Sequence, residues 1–273
     1  MNASFFISPR DLYNQNGGAS APMIIDVRRK DIYESATDLI PGALWRDPDK
    51  MATWIGELPR DASYAIACKA GHQLSQMVAA SLREAGVSAQ VVSGGYEGWR
   101  ENRLPLLNRA ELERCVPNRP SLWVTRRRPK IDRVACPWLI MRFLDPQARI
   151  LFVDPPEVPL VAQETGAIPF DIDGVELSHV GDQCSFDTML RLFGLDADPA
   201  LARLALIVRG ADTARPDLAP EASGLLAVSL GLSALAGDDD HALLARGYIV
   251  YDALFAWARF AADERHNWPA KAS

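Results

Sequence analysis

The chain has little of what marks several common protein classes. Only four cysteines occur in 273 residues, at 68, 115, 136 and 184, and no two stand in CxxC spacing. That disfavours a zinc ribbon and a disulfide scaffold and suits a reducing compartment. No apolar run approaches the ~20 residues that span a bilayer. The opening Met1-Asn2-Ala3-Ser4-Phe5-Phe6-Ile7 has no basic segment and no long apolar stretch, so it does not read as a secretory signal. An excess of positive charge is also missing. The formal net charge is −6, which argues against nucleic acid as the main partner. Internal repeats and low-complexity segments are absent. The expectation is a cytoplasmic protein without membrane contact.

What remains is ordinary globular composition, 48% apolar and 23% charged. A length of 273 residues suggests two domains. Residues 1–106 alternate strand and helix signals. Met23–Arg28 is an apolar run ending in polar groups, and Asp31–Ala36 gives a short helical turn. Pro41-Gly42-Ala43-Leu44 turns into another strand. Ala62–Ala67 is a strand, Gln73–Ala85 has helical period and is stopped by Gly86, and Ala89–Val92 is a further strand. Gly94-Gly95 then makes a turn into a helix at Tyr96–Arg100. Such alternation implies an α/β domain with a doubly wound parallel sheet. Ligands gather at the carboxyl ends of the strands of such sheets.

Cys68 sits on that edge. It joins the run Ala65-Ile66-Ala67 to the loop Lys69-Ala70-Gly71-His72-Gln73-Leu74-Ser75. In a strand–loop–helix turn, backbone N–H groups converge and the helix's positive end points the same way. Both stabilise a thiolate and an anion beside it. Cys68 is therefore the candidate nucleophile, with a buried strand-end cysteine as the plainer alternative. His72 is either a proton shuttle or a solvated loop residue.

Taken together, Ile25-Asp26-Val27-Arg28, Ile40-Pro41-Gly42-Ala43, Cys68 with Gly71, and Gly94-Gly95-Tyr96-Glu97-Gly98-Trp99 resemble the rhodanese family in order and spacing. The resemblance covers about residues 1–106. It implies that Cys68 accepts sulfane sulfur as a persulfide and passes it to a thiol acceptor. It also implies that the N–H groups of Lys69, Ala70, Gly71, His72 and Gln73 form the anion cradle. Two departures stand out. Many rhodaneses carry Arg at the fifth position after the cysteine, where this chain has Gln73. The serine that usually follows that Arg aligns with Ser75, so the loop is one residue longer. Related phosphatases and arsenate reductases need an Arg just before the helix, and Leu74 occupies that place, which argues against phosphatase activity. Lys69 is then the loop's one fixed charge, which makes thiosulfate a poor donor.

Residues 107–121 are polar, contain two prolines and read as a linker with one short helix at Ala110–Cys115. Residues 122–273 read as a helix-rich α+β domain. Strands are expected at Leu122–Thr125 and Ile150–Val153, with an extended segment at 168–172. Helices are expected from Asp132, as N-cap, to Leu144, and at 158–166, 185–192, 199–211, 219–235 and 240–262. Pro137 lies inside the first of these, so that helix is either kinked or begins with a separate turn.

Lys130–Ile140, Pro169-Phe170-Asp171, Gly174–His179, Cys184-Ser185-Phe186-Asp187, Val208–Asp212 and Tyr251-Asp252-Ala253-Leu254 resemble the C-terminal domain of ChrB-type chromate resistance proteins. The resemblance spans about residues 122–262. It implies association with bacterial chromate resistance, with chromate or another oxyanion as a partner. Regulatory DNA binding does not transfer, because a rhodanese-like region stands where other members carry a different N-terminal region.

This half holds two constellations. Arg126, Arg127, Arg128, Lys130, Arg133 and Arg142 form a cationic set, and arginine forks suit tetrahedral oxyanions. The alternative is a solvated basic edge. Glu176 and His179, with Cys184 and with Asp132 and Asp212 from other segments, offer ligands for a divalent metal. Their plainer roles are a helix cap for Asp132, a hydrogen-bonded core residue for His179 and a small buried group for Cys184. Cys136 reads as helix packing, or as a redox partner if it faces Cys184. Two functions follow as expectations. One is a thiol-dependent sulfurtransferase with an oxyanion or metal site. The other is a chromate or redox sensor or regulatory protein whose rhodanese-like domain is catalytically weak and acts through protein partners.

Overall fold

The computed structural model describes residues 4–18 and 20–264. Among the described residues ten strands are defined: β1 (Phe6–Ile7), β2 (Met23–Asp26), β3 (Asp38–Leu39), β4 (Leu44–Trp45), β5 (Ser63–Ala67), β6 (Ser88–Val92), β7 (Leu107–Asn108), β8 (Leu122–Arg126), β9 (Arg149–Val153) and β10 (Ile168–Pro169).

The first half is built on a parallel sheet of order β1-β6-β5-β2-β4. Successive side chains alternate across it, as strand geometry requires. Ile25, Ile66 and Val91 face the helix Gln73–Glu84 through Val78, Ala79 and Leu82. Ile24, Ala65 and Val92 face the opposite layer, where Leu12 and Trp99 pack. Leu12 belongs to a helix at Pro9–Gln15 that the sequence reading omits. Its signals are Ser8, which accepts from Asp11 N–H, and Pro9 at the first helical position. Asp26 lies opposite both Ala67 and Trp45. Val27, Cys68 and Arg46 therefore leave the same carboxyl edge of the sheet.

The second half holds a parallel three-stranded sheet, β10-β8-β9, and the main helical core. The helix expected from Asp132 begins there, but Ile131 precedes it as cap residue and makes no side-chain cap. Asp132 is instead its first residue, which leaves its carboxylate free to point elsewhere. The helix Asp132–Leu139 contains Pro137 and passes into a π turn at Ile140–Leu144. Pro137 contributes no N–H to the ladder, and the wider turn follows three residues after it. The segment expected at 168–172 leaves the sheet after Pro169, and Asp171 takes a positive φ of 52°. The helix expected from 219 starts at Ala222, after a short 3-10 turn at Pro216–Leu218.

The segment 107–121 is ordered. β7 pairs with β3, and the helix Arg109–Cys115 follows it. Leu107, Leu112 and Val116 are buried within the same core as Trp138, Phe186 and Leu201. Further ties join the halves. Gly42 N–H donates to the Phe143 carbonyl in the π turn. The Arg259 guanidinium stacks 4.2 Å over the Tyr13 ring and donates to the carbonyls of Tyr13 and Asn16. The Tyr13 hydroxyl donates to Asp198. Asp198 also caps the helix Pro199–Asp212, accepting from Ala200 N–H at 2.8 Å and Leu201 N–H at 3.2 Å. Asp198→Ala should cost about 1–3 kcal/mol, from the lost cap and a stranded buried hydroxyl. Asp198→Asn keeps most of the cap and should cost less. Urea denaturation of the two variants against wild type measures the difference.

Candidate functional site

The Cys68 loop is a backbone-on-backbone construction. Cys68 is 6% exposed, at the end of β5, and its Sγ lies 3.1 Å from Ser75 Oγ on the first turn of the helix Gln73–Glu84. Ser75 Oγ donates to the His72 carbonyl, so the hydroxyl is fixed beside the sulfur. The first N–H groups of a helix have no partner within it, and those of Gln73, Leu74 and Ser75 follow directly on the loop. Gly71 and Gly95 allow the close fit. A Cβ on Gly95 would stand 2.2 Å from the Cys68 carbonyl oxygen, and one on Gly71 would stand 2.7 Å from Gly94 N. Both residues also have positive φ, of 70° for Gly71 and 56° for Gly95. Tyr96 N–H donates to the Cys68 carbonyl and Glu97 N–H to the Lys69 carbonyl, tying loop to turn.

Charge in the loop is sparse. Lys69 stands 3.5 Å from Glu97, and both are exposed. His72 and Gln73 are exposed, and His72 caps nothing with its side chain. The nearby Asp26–Arg28 pair is structural. Arg28 forks onto Asp26 at 2.6–3.1 Å, and its guanidinium lies 3.9 Å from the Tyr96 ring centroid, fully buried.

A second constellation forms in the other half. His179 Nε2 lies 3.3 Å from Asp132, 3.3 Å from Asp171 and 3.4 Å from Asp212. Four segments deliver these groups: a helix start, the bend after β10, a loop and a helix end. Asp132 and Asp171 are 2% and 3% exposed, so their charge is held away from water. Ser185 steadies both, through N–H to Asp132 and Oγ to Asp171. The hydrogen bond and charge of Asp132, with Asp171 and Asp212 beyond, push His179 up to about 9. Burial pushes Asp212 up to about 7, and Asp132 is also raised by burial. Ligand atoms of Asp132, His179 and Asp212 lie within 4.8 Å of one another, a spacing that suits one cation. A cavity of about 530 Å3, lined by Arg126, Asp171, Ser178 and His179, opens beside them.

Two expectations are corrected here. Glu176 does not join His179: both its oxygens bind Arg114, at 2.7 and 2.8 Å. Asp171 takes its place, and its only trace in sequence is the Pro-Phe-Asp run, because the positive φ that turns it inward is a tertiary feature. The cationic set does not converge either. Arg126 and Arg133 both pair with Asp171, Arg127 with Asp154, Arg128 with Asp238 and Arg142 with Asp252. Lys130 is exposed. Cys184 caps its own helix against Asp187, and burial raises both its thiol and that of Cys136.

Comparison with known proteins agrees with this division. Residues 8–102 match the family model of the rhodanese-like domain, and the first half is a rhodanese-like domain. Residues 123–258 match the model of the C-terminal domain of ChrB, so the chain joins a rhodanese-like domain to a ChrB C-terminal domain. Protein ChrB of Cupriavidus metallidurans is 41% identical over 133 residues. That match covers 49% of this chain and 39% of the relative's length. Among solved structures, a rhodanese-related protein from Thermoplasma volcanium is 25% identical with a TM-score of 0.34, covering 38% of this chain and 97% of its own. A rhodanese-like domain protein from Staphylococcus aureus is 27% identical with a TM-score of 0.32, covering 35% of this chain and 91% of its own. Among the described residues, no helix is long and apolar enough to cross a membrane.

Gly95→Ala tests the loop packing. Strain at positive φ alone costs about 1–3 kcal/mol, and the contact with Cys68 adds to it. Thermal unfolding should show a lower transition and slower alkylation of Cys68 should not accompany it, because the loop opens.

Proposed function

We propose that this protein is a rhodanese-type sulfurtransferase working in chromate resistance, with a metal site in its second domain. The observation that carries the first part is Cys68, at the sheet's carboxyl edge with Ser75 Oγ 3.1 Å from its sulfur. The Cys68 thiolate attacks the outer sulfur of a sulfane donor such as thiosulfate. A new S–S bond forms, the donor's own S–S bond breaks, and sulfite leaves with the electron pair. An acceptor thiolate then attacks the outer sulfur of the persulfide and regenerates Cys68. Lys69 shares its charge with Glu97, so the loop favours a donor with less negative charge than thiosulfate, such as mercaptopyruvate, whose C–S bond breaks as the S–S bond to Cys68 forms, the electron pair leaving with pyruvate as its enolate, which then takes up a proton.

The second domain suits a cation better than a bare oxyanion. Arg126, Arg127, Arg128, Arg133 and Arg142 each face a carboxylate, whereas three carboxylates and an imidazole converge on one point. Oxygen-rich sites with one imidazole suit a divalent first-row cation. An oxyanion such as chromate would reach that cation through the adjoining cavity beside Arg126. The setting in chromate resistance rests on the ChrB C-terminal domain and on the relative of that name.

Intact-protein mass spectrometry after incubation with mercaptopyruvate should show a gain of about 32 Da, one sulfur, that Cys68→Ser abolishes. No gain with mercaptopyruvate or thiosulfate would shift the reading to a thiol sensor acting through protein partners. For the second domain, calorimetric titration with Mn2+ and Zn2+ should show one site. Asp132→Asn combined with His179→Ala should weaken it by more than about 100-fold, since even outer ligand supports are worth 10–100-fold. Glu176→Gln should leave the affinity unchanged.

A further inference from the structure

A groove between the two halves carries positive charge that its own walls leave uncompensated. It encloses about 400 Å3 and is lined by Tyr33, Trp45, Arg46, Val116, Arg119 and Gln147, with Glu113 at its rim. Glu113 is already engaged by Arg109 at 2.7 Å. Arg119 makes only long contacts, 3.4 Å to the Ala43 carbonyl and 3.3 Å to the Tyr33 hydroxyl. Arg46 donates its backbone N–H to Asp26, and among the described residues its guanidinium has no ion pair or hydrogen bond. Two such forks in one groove of a chain with net charge −6 are a local reversal of sign.

We propose that this groove binds a small organic anion: a carboxylate, sulfonate or phosphate carried on a flat apolar body. The forks of Arg46 and Arg119 match the oxyanion group. The flat body follows from the aromatic rings beside these forks. Trp45 and Tyr33 stack there with ring centroids 5.3 Å apart and planes 26° from parallel. The volume lies within the range of about 300–1,000 Å3 typical of small-molecule sites, and domain junctions are where such sites concentrate. A bare inorganic ion would fill little of it. The walls come from both halves and from the segment between them, so an occupant touches all three. Trp45 also donates its Nε1–H to the Arg28 carbonyl at 2.9 Å. Arg28 holds Asp26, whose strand neighbour is Ala67, next to Cys68. The groove is thus connected to the sulfur-bearing strand without being part of its loop.

The test is calorimetric titration of the full chain with phenylphosphate, benzenesulfonate and benzoate, with inorganic phosphate and benzyl alcohol as the charge-only and ring-only probes. At least one aromatic anion should bind one-to-one with Kd below about 1 mM. Arg46→Gln and Arg119→Gln should each weaken it by ~10-fold or more, as loss of one charge-assisted fork predicts. Both variants should melt with wild type, which separates lost binding from lost fold. Three outcomes overturn the proposal: no heat from any aromatic anion, affinity unchanged in both folded variants, or inorganic phosphate binding as tightly as phenylphosphate. The readout is binding alone, so it stands or falls apart from sulfur transfer at Cys68.

Discussion

Trp138 holds the second half together, and through it the acidic site. Its ring lies 5.5–6.4 Å from the rings of Phe143, Phe186, Tyr251 and Phe255, and it is completely buried. Offset and edge-on rings at these distances add to the large area each buries. Three helices meet on this one side chain. The Tyr251 hydroxyl then donates to the Ile131 carbonyl at 2.6 Å. That bond fixes a residue with φ of 43°, the one directly before Asp132. The position of the Asp132 carboxylate therefore depends on aromatic packing more than on its own helix. Phe255 extends the same cluster toward Gly17 of the first half, where a Cβ would meet its ring at 2.6 Å.

The rhodanese-like half was largely legible in the sequence. Short apolar strands, a helix stopped by Gly86 and the Gly94-Gly95 turn each carry a local signal, and the parallel sheet follows from their alternation. The Cys68 site was legible for the same reason: its loop is contiguous, and its geometry comes from glycines and backbone. The acidic site was legible only in part. His179, Asp132 and Asp212 are named by residue type, but their meeting is set by four segments that packing brings together. Glu176 misled because E-x-x-H suggests neighbours, whereas Arg114 on a distant helix captures its carboxylate. Asp171 escaped because its direction depends on a backbone conformation that no sequence pattern announces.

The basic residues show the same limit from the other side. A run such as Arg126-Arg127-Arg128 looks like one patch in sequence. The strand β8, however, ends at Arg126, Arg128 takes a positive φ of 55°, and each of these arginines ends on a different carboxylate. Arg46 and Arg119 lie 73 positions apart and carry no motif, yet they line one groove. Charge clusters in three dimensions are therefore poorly reported by charge runs in one.

The thiols decide where reactive sulfur chemistry is possible. Cys136 and Cys184 are fully buried, and burial raises both well above the ordinary thiol range, with Asp132 adding to each. A thiolate at either position would need charge where carboxylates already crowd. Burial and the neighbouring carboxylates thus both disfavour the thiolate at these two positions. Cys115 is half-buried and also raised by burial. Cys68 differs from all three in its place, at the end of β5 with Ser75 Oγ 3.1 Å from its sulfur. The proposed sulfur chemistry and the proposed cation site therefore fall in different halves of the chain, the first beside a backbone-built loop and the second among converging carboxylates.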